Sequence, residues 1–343
     1  MRITWIDTMK GVAMIAVVLG HVAQGYLVAG MFPEERTILQ ALFDFIYAWH
    51  MPLFFMASGY LYEMTWNERP SHIFARIREK FFDMFILYIL FSLLFWGTKY
   101  LAASRVQMNH IITIEELSHI FVQPLSYLWF LYVLIILFIA VPLLARYIPD
   151  KKIFLAMLGA SYLLWGDFGI SGRVLFGGFY FVLGSWLRQI HFEGINRRMK
   201  RILLGMSGTV CVINAAAYLE AWGGQGNTLR EITLALAASY LVWCLFAEIW
   251  DKKRKFGTPF LRLCGQKCLE LYLLHVYFVG FLRTAFRKMG IDEWSLCLIL
   301  GTVIAVVGSL TIAYLCGKNR YLQYLFRPAD GLRKCFAAAR GSL

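Results

Sequence analysis

The sequence predicts an all-α, polytopic membrane helix bundle of about ten transmembrane helices, with the N and C termini in the cytoplasm. Its 343 residues are 59% hydrophobic and only 16% charged, and the mean hydropathy is +0.60. Soluble domains usually carry about 25% charged residues, so a water-exposed surface does not account for this composition. A bilayer does, because a helix needs roughly 20 apolar residues to cross about 30 Å of hydrocarbon.

Ten apolar stretches of spanning or near-spanning length recur along the chain, and each predicts one helix. They lie at approximately 11–30, 39–62, 82–103, 120–147, 152–168, 173–190, 202–222, 232–249, 268–285 and 294–316. The fifth and sixth are short and are interrupted by Asp167 and Gly169, so tilted or partly re-entrant segments are expected there. Other joins contain residue types that break helices, namely Pro33, Pro70 and the cluster of Gly223, Gly224 and Gly226.

The distribution of Lys and Arg predicts how these helices are oriented in the membrane. All but eight of the 34 basic residues fall on one side, in loops and in the tail from Lys318. Cytoplasmic loops carry such an excess, so both termini are predicted inside. Because the net charge of +13 is spread over many loops, it indicates topology rather than nucleic-acid binding. We expect one integral-membrane domain over 1–320 and a short basic cytoplasmic tail over 321–343.

The cysteine pattern and the first apolar stretch exclude two other features. The seven cysteines form no CxxC pair, so neither disulfides nor a zinc site are expected. The first apolar stretch has spanning length and no small-residue cleavage motif after it. We therefore expect it to be retained as a membrane helix rather than removed as a signal peptide.

His21 is the clearest candidate functional residue, because an ionisable side chain at membrane depth is costly. It follows Lys10 by eleven residues, which places both on nearly the same helix face about 16 Å apart along the axis. Asp7, three residues before Lys10, can pair with that lysine. The simpler readings are a neutral histidine bonded to a neighbouring helix and a lysine that anchors the cytoplasmic helix end.

The second stretch adds polar groups to an aromatic span. His50 and Pro52 interrupt FDFIYAWHMPLFFMASGY, which also holds Asp44 and Ser58. A proline there frees a backbone carbonyl, which packing commonly tolerates. The following FARIREKFF contains the basic residues Arg76, Arg78 and Lys80. These form either an ordinary positive-inside loop or a phosphate-binding cluster on the cytoplasmic face.

The motifs together resemble membrane acyltransferase family 3, a family of bacterial multi-helix O-acyltransferases, nearest its fucose 4-O-acetylase-like branch. The resemblance covers about residues 3 to 316 and rests on RITWIDTMKGVAMIAVVLGHV, IYAWHMPLFFMASGYLY, RIREK, SYLWFLYVLIIL, RVLFGGFYFVLGSWL and LELYLLHVYF. The family's most specific marker is an Arg or Lys separated by ten residues from a His, which Lys10 and His21 match. The family's basic RxxR motif is replaced here by Arg76, Arg78 and Lys80 at RxRxK spacing.

The resemblance implies a multi-pass protein of the bacterial inner membrane that uses acyl-coenzyme A, most simply acetyl-CoA, as a donor substrate and holds no permanent cofactor and no metal. Lys10, Arg76, Arg78 and Lys80 would bind the donor phosphates. His21 would deprotonate the acceptor hydroxyl or carry the acyl group briefly, and the acceptor would be a sugar, a surface glycan or a lipid-linked glycan. Possible supporting residues are Asp7, His50, Ser58, Tyr127, Trp129, Glu270 and His275. Oligomeric state is not predicted.

Two other functional classes share these sequence features. A secondary transporter also has many helices, broken spans and intramembrane His and Asp, but it commonly shows an internal repeat, and the Lys10 to His21 pattern has no counterpart in the second half. A membrane acyl-binding domain without catalysis is the second alternative. Transfer of a labelled acyl group separates both from an enzyme.

Overall fold

The computed structural model describes residues 3–66, 73–102, 112–165, 169–190, 196–219, 228–246 and 259–331. This part of the chain forms helices, turns and loops and contains no strand, which confirms the all-α prediction. The helices are α1 (Thr4–Ala29), α2 (Arg36–Trp66), α3 (Ile73–Ala102), α4 (Ile114–Ser118), α5 (Trp129–Leu144), α6 (Lys151–Trp165), α7 (Gly169–Gln189), α8 (Arg197–Leu219), α9 (Thr228–Cys244), α10 (Pro259–Gln266), α11 (Cys268–Met289) and α12 (Trp294–Lys318).

Seven helical segments within the described ranges are long and apolar enough to cross a bilayer: α1, α2, α3, Ser126–Leu144, α7, α11 and α12. The predicted fifth span includes α6, whose 15 described residues extend about 22 Å at 1.5 Å per residue. Residues 166–168 of that span lie outside the described ranges. The predicted seventh and eighth spans correspond to α8 and α9, and α9 has only 17 residues. The count of ten and the cytoplasmic termini stay predictions.

Several predicted helix breaks fall outside the described residues: Pro70, Asp167, the cluster at Gly223, Gly224 and Gly226, and most of the tail. Of those described, Gly169 begins α7 with a φ of 54°. The predicted interruption at Pro52 does not end α2, which continues through it from Arg36 to Trp66. The proline is itself buried.

The helices fall into two compact units, and the predicted single domain stays a prediction. The first unit comprises Met1–Glu63 and Leu183–Leu310, and the second comprises Met64–Val182 and Thr311–Leu343. In the second unit α3 packs along α5, and Tyr88 donates a hydrogen bond of 2.6 Å to the carbonyl of Ile120.

In the first unit α1 is the central helix and packs along α10 and α11. Its buried side chains include Ile6, Met9, Met14, Val17, Val18 and Tyr26. The Tyr26 hydroxyl donates a 2.8 Å hydrogen bond to the carbonyl of Cys297, which ties α1 to α12. At the other end, the rings of Trp5, Tyr60 and Trp243 pack edge to face with centroids 5.0 to 5.8 Å apart and join α1, α2 and α9. Contacts at both ends therefore fix α1 in position.

Glycines end two of these helices in the same way. Gly30 follows α1 with a φ of 62°, and its N–H bonds to the carbonyl of Leu27 while Met31 bonds to Tyr26. Gly290 follows α11 with a φ of 66° and makes the equivalent bond to Arg287. Left-handed glycines satisfy the last helical carbonyls without a Cβ penalty.

Candidate active site

His21 lies in the second half of α1, on the same uninterrupted helix as Lys10. His21 follows Lys10 by eleven positions, which correspond to about 16 Å of helix rise and to nearly the same face. The eight residues from His21 to Ala29 correspond to about 12 Å. His21 is therefore closer to the Ala29 end of the helix than to its lysine end.

The His21 imidazole contacts two polar side chains, Tyr47 and Gln24, that are not among the predicted site residues. The Tyr47 hydroxyl on α2 lies 3.0 Å from Nδ1 and 3.3 Å from Nε2. The Gln24 Oε1 lies 3.2 Å from Nδ1, and the Tyr47 hydroxyl donates to the same Gln24 oxygen over 3.3 Å. In this arrangement a proton on Nδ1 has two acceptors, the Gln24 oxygen and the Tyr47 oxygen, and the Nε2 lone pair is left to act as a base.

Gly20 allows Tyr47 to approach the histidine. A Cβ at this position would lie 3.1 Å from Cε2 of Tyr47 and 3.2 Å from Cγ2 of Ile46. Carbon atoms in contact are normally about 3.5–4.0 Å apart, so a side chain here would push α2 away. The glycine immediately before His21 thus sets the separation of α1 and α2 at this level.

Two further imidazoles lie in the same group. The His275 ring on α11 lies 5.1 Å from the His21 ring, and the His50 ring on α2 lies 4.8 Å from the Tyr47 ring. Nδ1 of His50 lies 2.6 Å from the carbonyl of Ile46, and Nδ1 of His275 lies 2.9 Å from that of Leu271. Because a carbonyl only accepts, each Nδ1 carries the proton and donates it.

Accessibility separates the three histidines. His50 and His275 are 0% exposed, whereas His21 is half-buried. Among the described residues, no three His, Cys, Asp or Glu side chains are placed to hold a metal ion. Because His21 is the accessible one of the three histidines, the group is suited to proton transfer at His21, with the His275 ring packed beside it and the His50 ring beside Tyr47.

Lys10 lies at the other end of α1, in a group of charged residues. Its Nζ lies 3.1 Å from Oδ1 of Asp7, and Lys267 makes a matching pair of 2.9 Å with Glu270 at the start of α11. Cys268, at the start of α11, interacts electrostatically with Lys10, Asp7 and Glu270, so these charged residues lie in the same region of the first unit. Glu270, predicted as a possible support for His21, therefore lies near the Lys10 end of α1. It pairs with Lys267, which is not among the predicted site residues.

Close helix packing holds this charged group in place. A Cβ on Gly11 would overlap the carbonyl oxygen of Leu261, and a Cβ on Gly265 would overlap the carbonyl oxygen of Asp7. The backbones of α1 and α10 therefore touch directly on either side of Lys10. Ser58 also lies toward this end, because it follows Tyr47 on α2 by eleven residues, or about 16 Å. It cannot contact His21.

The remaining predicted residues belong to the second unit. Arg76, Arg78 and Lys80 lie in the first turns of α3, and Arg76 Nη1 donates to the carbonyl of Thr65. At 100° per residue Arg76 and Lys80 share one face, whereas Arg78 points to the opposite side. Arg78 and Lys80 are exposed and Arg76 is half-buried. A single ligand on one face of this helix would therefore contact Arg76 and Lys80 but not Arg78.

Tyr127 and Trp129 lie at the turn that begins α5. The Tyr127 ring packs edge to face on Phe95 at 5.2 Å. The Arg173 guanidinium lies over the Trp129 ring at 5.0 Å. Ser126, just before them, has a φ of 42°. These contacts give both aromatic residues packing roles within the second unit.

Gln24 and Tyr47 could have been found by helical spacing. Gln24 follows His21 by three residues and Tyr47 precedes His50 by three, so each lies one turn from a histidine on the same face. The sequence alone does not show that those two faces meet.

Comparison with known protein families identifies the family of the chain. A family model described as an acyltransferase domain, of the acyltransferase 3 family, matches residues 3–318. The chain belongs to the acyltransferase 3 family. No curated protein and no solved structure matches it. As a member of this family, the chain is a multi-pass membrane acyltransferase, which confirms the predicted family and the general activity.

Proposed function

We propose that this family member transfers an acetyl group from acetyl-CoA to a hydroxyl of a sugar, free or linked to lipid or glycan, with His21 as the general base. One observation carries the proposal: a half-buried imidazole inside the first unit, held by Tyr47 and Gln24, with a pair of fully buried histidines beside it. Histidine suits this role because its ordinary pKa lies near neutral pH.

The chemistry balances without any further reactant. Nε2 of His21 accepts the proton of the acceptor hydroxyl as that oxygen attacks the thioester carbon. When the tetrahedral intermediate collapses, the carbon–sulfur bond breaks and the proton passes from His21 to the departing sulfur. The products are an O-acetyl ester and the free thiol of CoA. General base catalysis of this kind contributes typically 10²–10⁴-fold.

The charged end of α1 supplies the first candidate for holding the donor. Lys10 and Lys267 are each paired with an acid three residues away, and the side chain of Lys267 is 40% exposed. A phosphate would reach Lys267 first, because the side chains of Lys10 and Asp7 are only 18% and 11% exposed. The flexible arm of CoA would then extend along α1 toward His21. Arg76 and Lys80 in the second unit are a separate candidate, to be tested independently.

Transfer of label tests the function and its rivals. Purified protein is incubated with acetyl-CoA carrying ¹⁴C in the acetyl group and with the envelope glycan and glycolipid fraction of the host cells. We expect label in that fraction that mild alkali releases, together with one free CoA thiol for each ester formed. Binding of acetyl-CoA with neither product would indicate an acyl-binding domain, and uptake of label into vesicles without ester formation would indicate a transporter.

A histidine that carries the acyl group is the alternative within the same mechanism. Incubation with labelled donor alone, followed by rapid acid quench and mass spectrometry of the peptide containing His21, distinguishes the two. We expect no acetyl adduct on this peptide. An adduct that forms and decays at the rate of turnover would replace the general base by a covalent carrier.

A further inference from the structure

A line of polar side chains extends along α2 from His21 toward the Arg36 end. Gln40, Asp44 and Tyr47 follow one another at i, i+4 and i+7, and at 100° per residue all three lie within about 60° of one another on the helix. Gln40 Nε2 donates a 2.8 Å hydrogen bond to Oδ1 of Asp44. The face that contains them is the face that meets α1, because Tyr47 contacts His21 and Gln24 there.

None of the polar side chains of this line is fully buried, and neither are Leu42, Phe45 and Ala48 on the same helix. Gln40, Asp44, Tyr47, Gln24 and His21 are all half-buried, so each retains accessible surface. Leu39 and Ile46 on the same helix are buried. A carboxylate inside a membrane segment is costly unless it faces the bundle interior or a water-filled cavity. The line is therefore a set of polar side chains that leads from Gln40 to His21 along the face of α2 that meets α1.

The side chains of this line are those that bind neutral carbohydrate. A carboxylate and an amide accept and donate hydrogen bonds to neighbouring hydroxyls. The Phe43 ring lies 4.0 Å from the Tyr47 ring between centroids and is tilted by 41° to it. Phe43 is also half-buried, which adds an apolar surface for the face of a sugar ring. An anionic sugar would instead meet the carboxylate of Asp44, and like charges repel.

We propose, resting on the function above, that Gln40 and Asp44 bind the hydroxyls of a neutral sugar acceptor, which enters from the Arg36 end of α2 and passes Tyr47 to reach His21. By the distribution of Lys and Arg this end is extracytoplasmic. Asp44 lies about 12 Å from Arg36 by helix rise. Donor and acceptor then reach His21 from opposite ends of α1.

Labelling of single introduced cysteines tests the route without any need for turnover. Gln40→Cys and the control Leu39→Cys are prepared in the full chain and placed in right-side-out vesicles. A charged, membrane-impermeant thiol reagent is added outside, and mass spectrometry follows the peptide containing the substitution. We expect position 40 to react at least about tenfold faster than position 39, because accessibility controls thiol reactivity. Equal rates, or reaction at position 40 only from the cytoplasmic side, would overturn the proposal.

Two matched sugars test the chemistry of the site. Methyl β-D-glucopyranoside, which is neutral, should slow labelling at position 40, whereas the corresponding glucuronide at the same concentration should not. Equal protection by both, or protection by neither, would contradict a site for neutral sugar.

Kinetics with Asp44→Asn separate this proposal from the proposed function. The variant should need about tenfold more envelope acceptor for half-maximal rate, while the requirement for acetyl-CoA stays within about twofold, since only the acceptor loses a charged hydrogen-bond partner. An unchanged acceptor requirement would remove Asp44 from the site and leave the transferase intact. Absence of acetyl transfer by the parent protein would instead refute the function, whatever the labelling shows.

Discussion

Replacing Gly20 with alanine should slow catalysis through a displacement of Tyr47. The added Cβ would lie 3.1 Å from Cε2 of Tyr47, where an ordinary carbon contact needs at least about 3.5 Å, so the ring must move by about 0.4 Å. The Tyr47 hydroxyl is now 3.0 Å from Nδ1 of His21. A displacement of this size away from His21 would lengthen the hydrogen bond to about 3.4 Å and weaken it.

The strength of this hydrogen bond sets the expected magnitude. A neutral hydrogen bond contributes about 0.5–1.5 kcal/mol, and about 1.36 kcal/mol corresponds to tenfold in rate. We therefore expect kcat for acetyl transfer to fall about 2- to 13-fold if the bond is needed in the transition state. The assay is release of CoA thiol from acetyl-CoA in the presence of the envelope acceptor fraction, at saturating concentrations of both.

Gly280→Ala is the matched control. This glycine lies within α11, where an added Cβ has no atom within 4 Å. Both substitutions gain about 1 kcal/mol of helix propensity, so a difference between them reports the contact with Tyr47. Tyr47→Phe should lower kcat by a similar factor. Adding Gly20→Ala to Tyr47→Phe should lower kcat little further, because both changes act on the same hydrogen bond between Tyr47 and His21. A kcat for Gly20→Ala equal to that of the control would refute this reasoning.

Three other outcomes are expected. Gly265→Ala should lower the Tm in detergent, since its Cβ would overlap a backbone carbonyl that cannot rotate away; a parent-like Tm would show that α1 and α10 can separate freely. The double variant Arg76→Ala, Lys80→Ala should bind CoA at least about tenfold more weakly by calorimetry. Arg78→Ala alone should weaken binding less, because Arg78 lies on the opposite face of α3. Equal binding by all variants would show that these cations only set the membrane orientation of the helix. Burial raises the pKa of the Cys264 thiol to about 11, so maleimide should label it slowly in the native protein at pH 8 and rapidly after denaturation; rapid native labelling would contradict its burial.

The helical framework and the positions of Lys10 and His21 could be predicted from the sequence because they depend on local properties. Hydropathy identifies long apolar helices, and a spacing of eleven residues fixes two side chains on one face of any α-helix. The predicted fifth span, 152–168, continues past Trp165 into residues outside the described ranges, so its full length stays a prediction.

The partners of His21 depend on contacts between helices and could not be read from one segment. Tyr47 reaches His21 only because Gly20 lets α2 approach α1. Glu270 lies only five residues before His275, yet it pairs with Lys267 near Lys10 rather than with an imidazole. A spacing of five residues turns the chain by about 140°, so closeness in sequence did not place Glu270 in the histidine group.

The most direct test of the central claim compares His21→Ala with the parent protein in two measurements, turnover and donor binding. If His21 is the general base, kcat for transfer from ¹⁴C-acetyl-CoA should fall at least about 100-fold. Binding of CoA by calorimetry should stay within about twofold, because by helix rise the lysine end of α1 lies about 16 Å away. A variant that binds CoA normally and keeps a tenth or more of the parent kcat would contradict the assignment of His21 as the catalytic base.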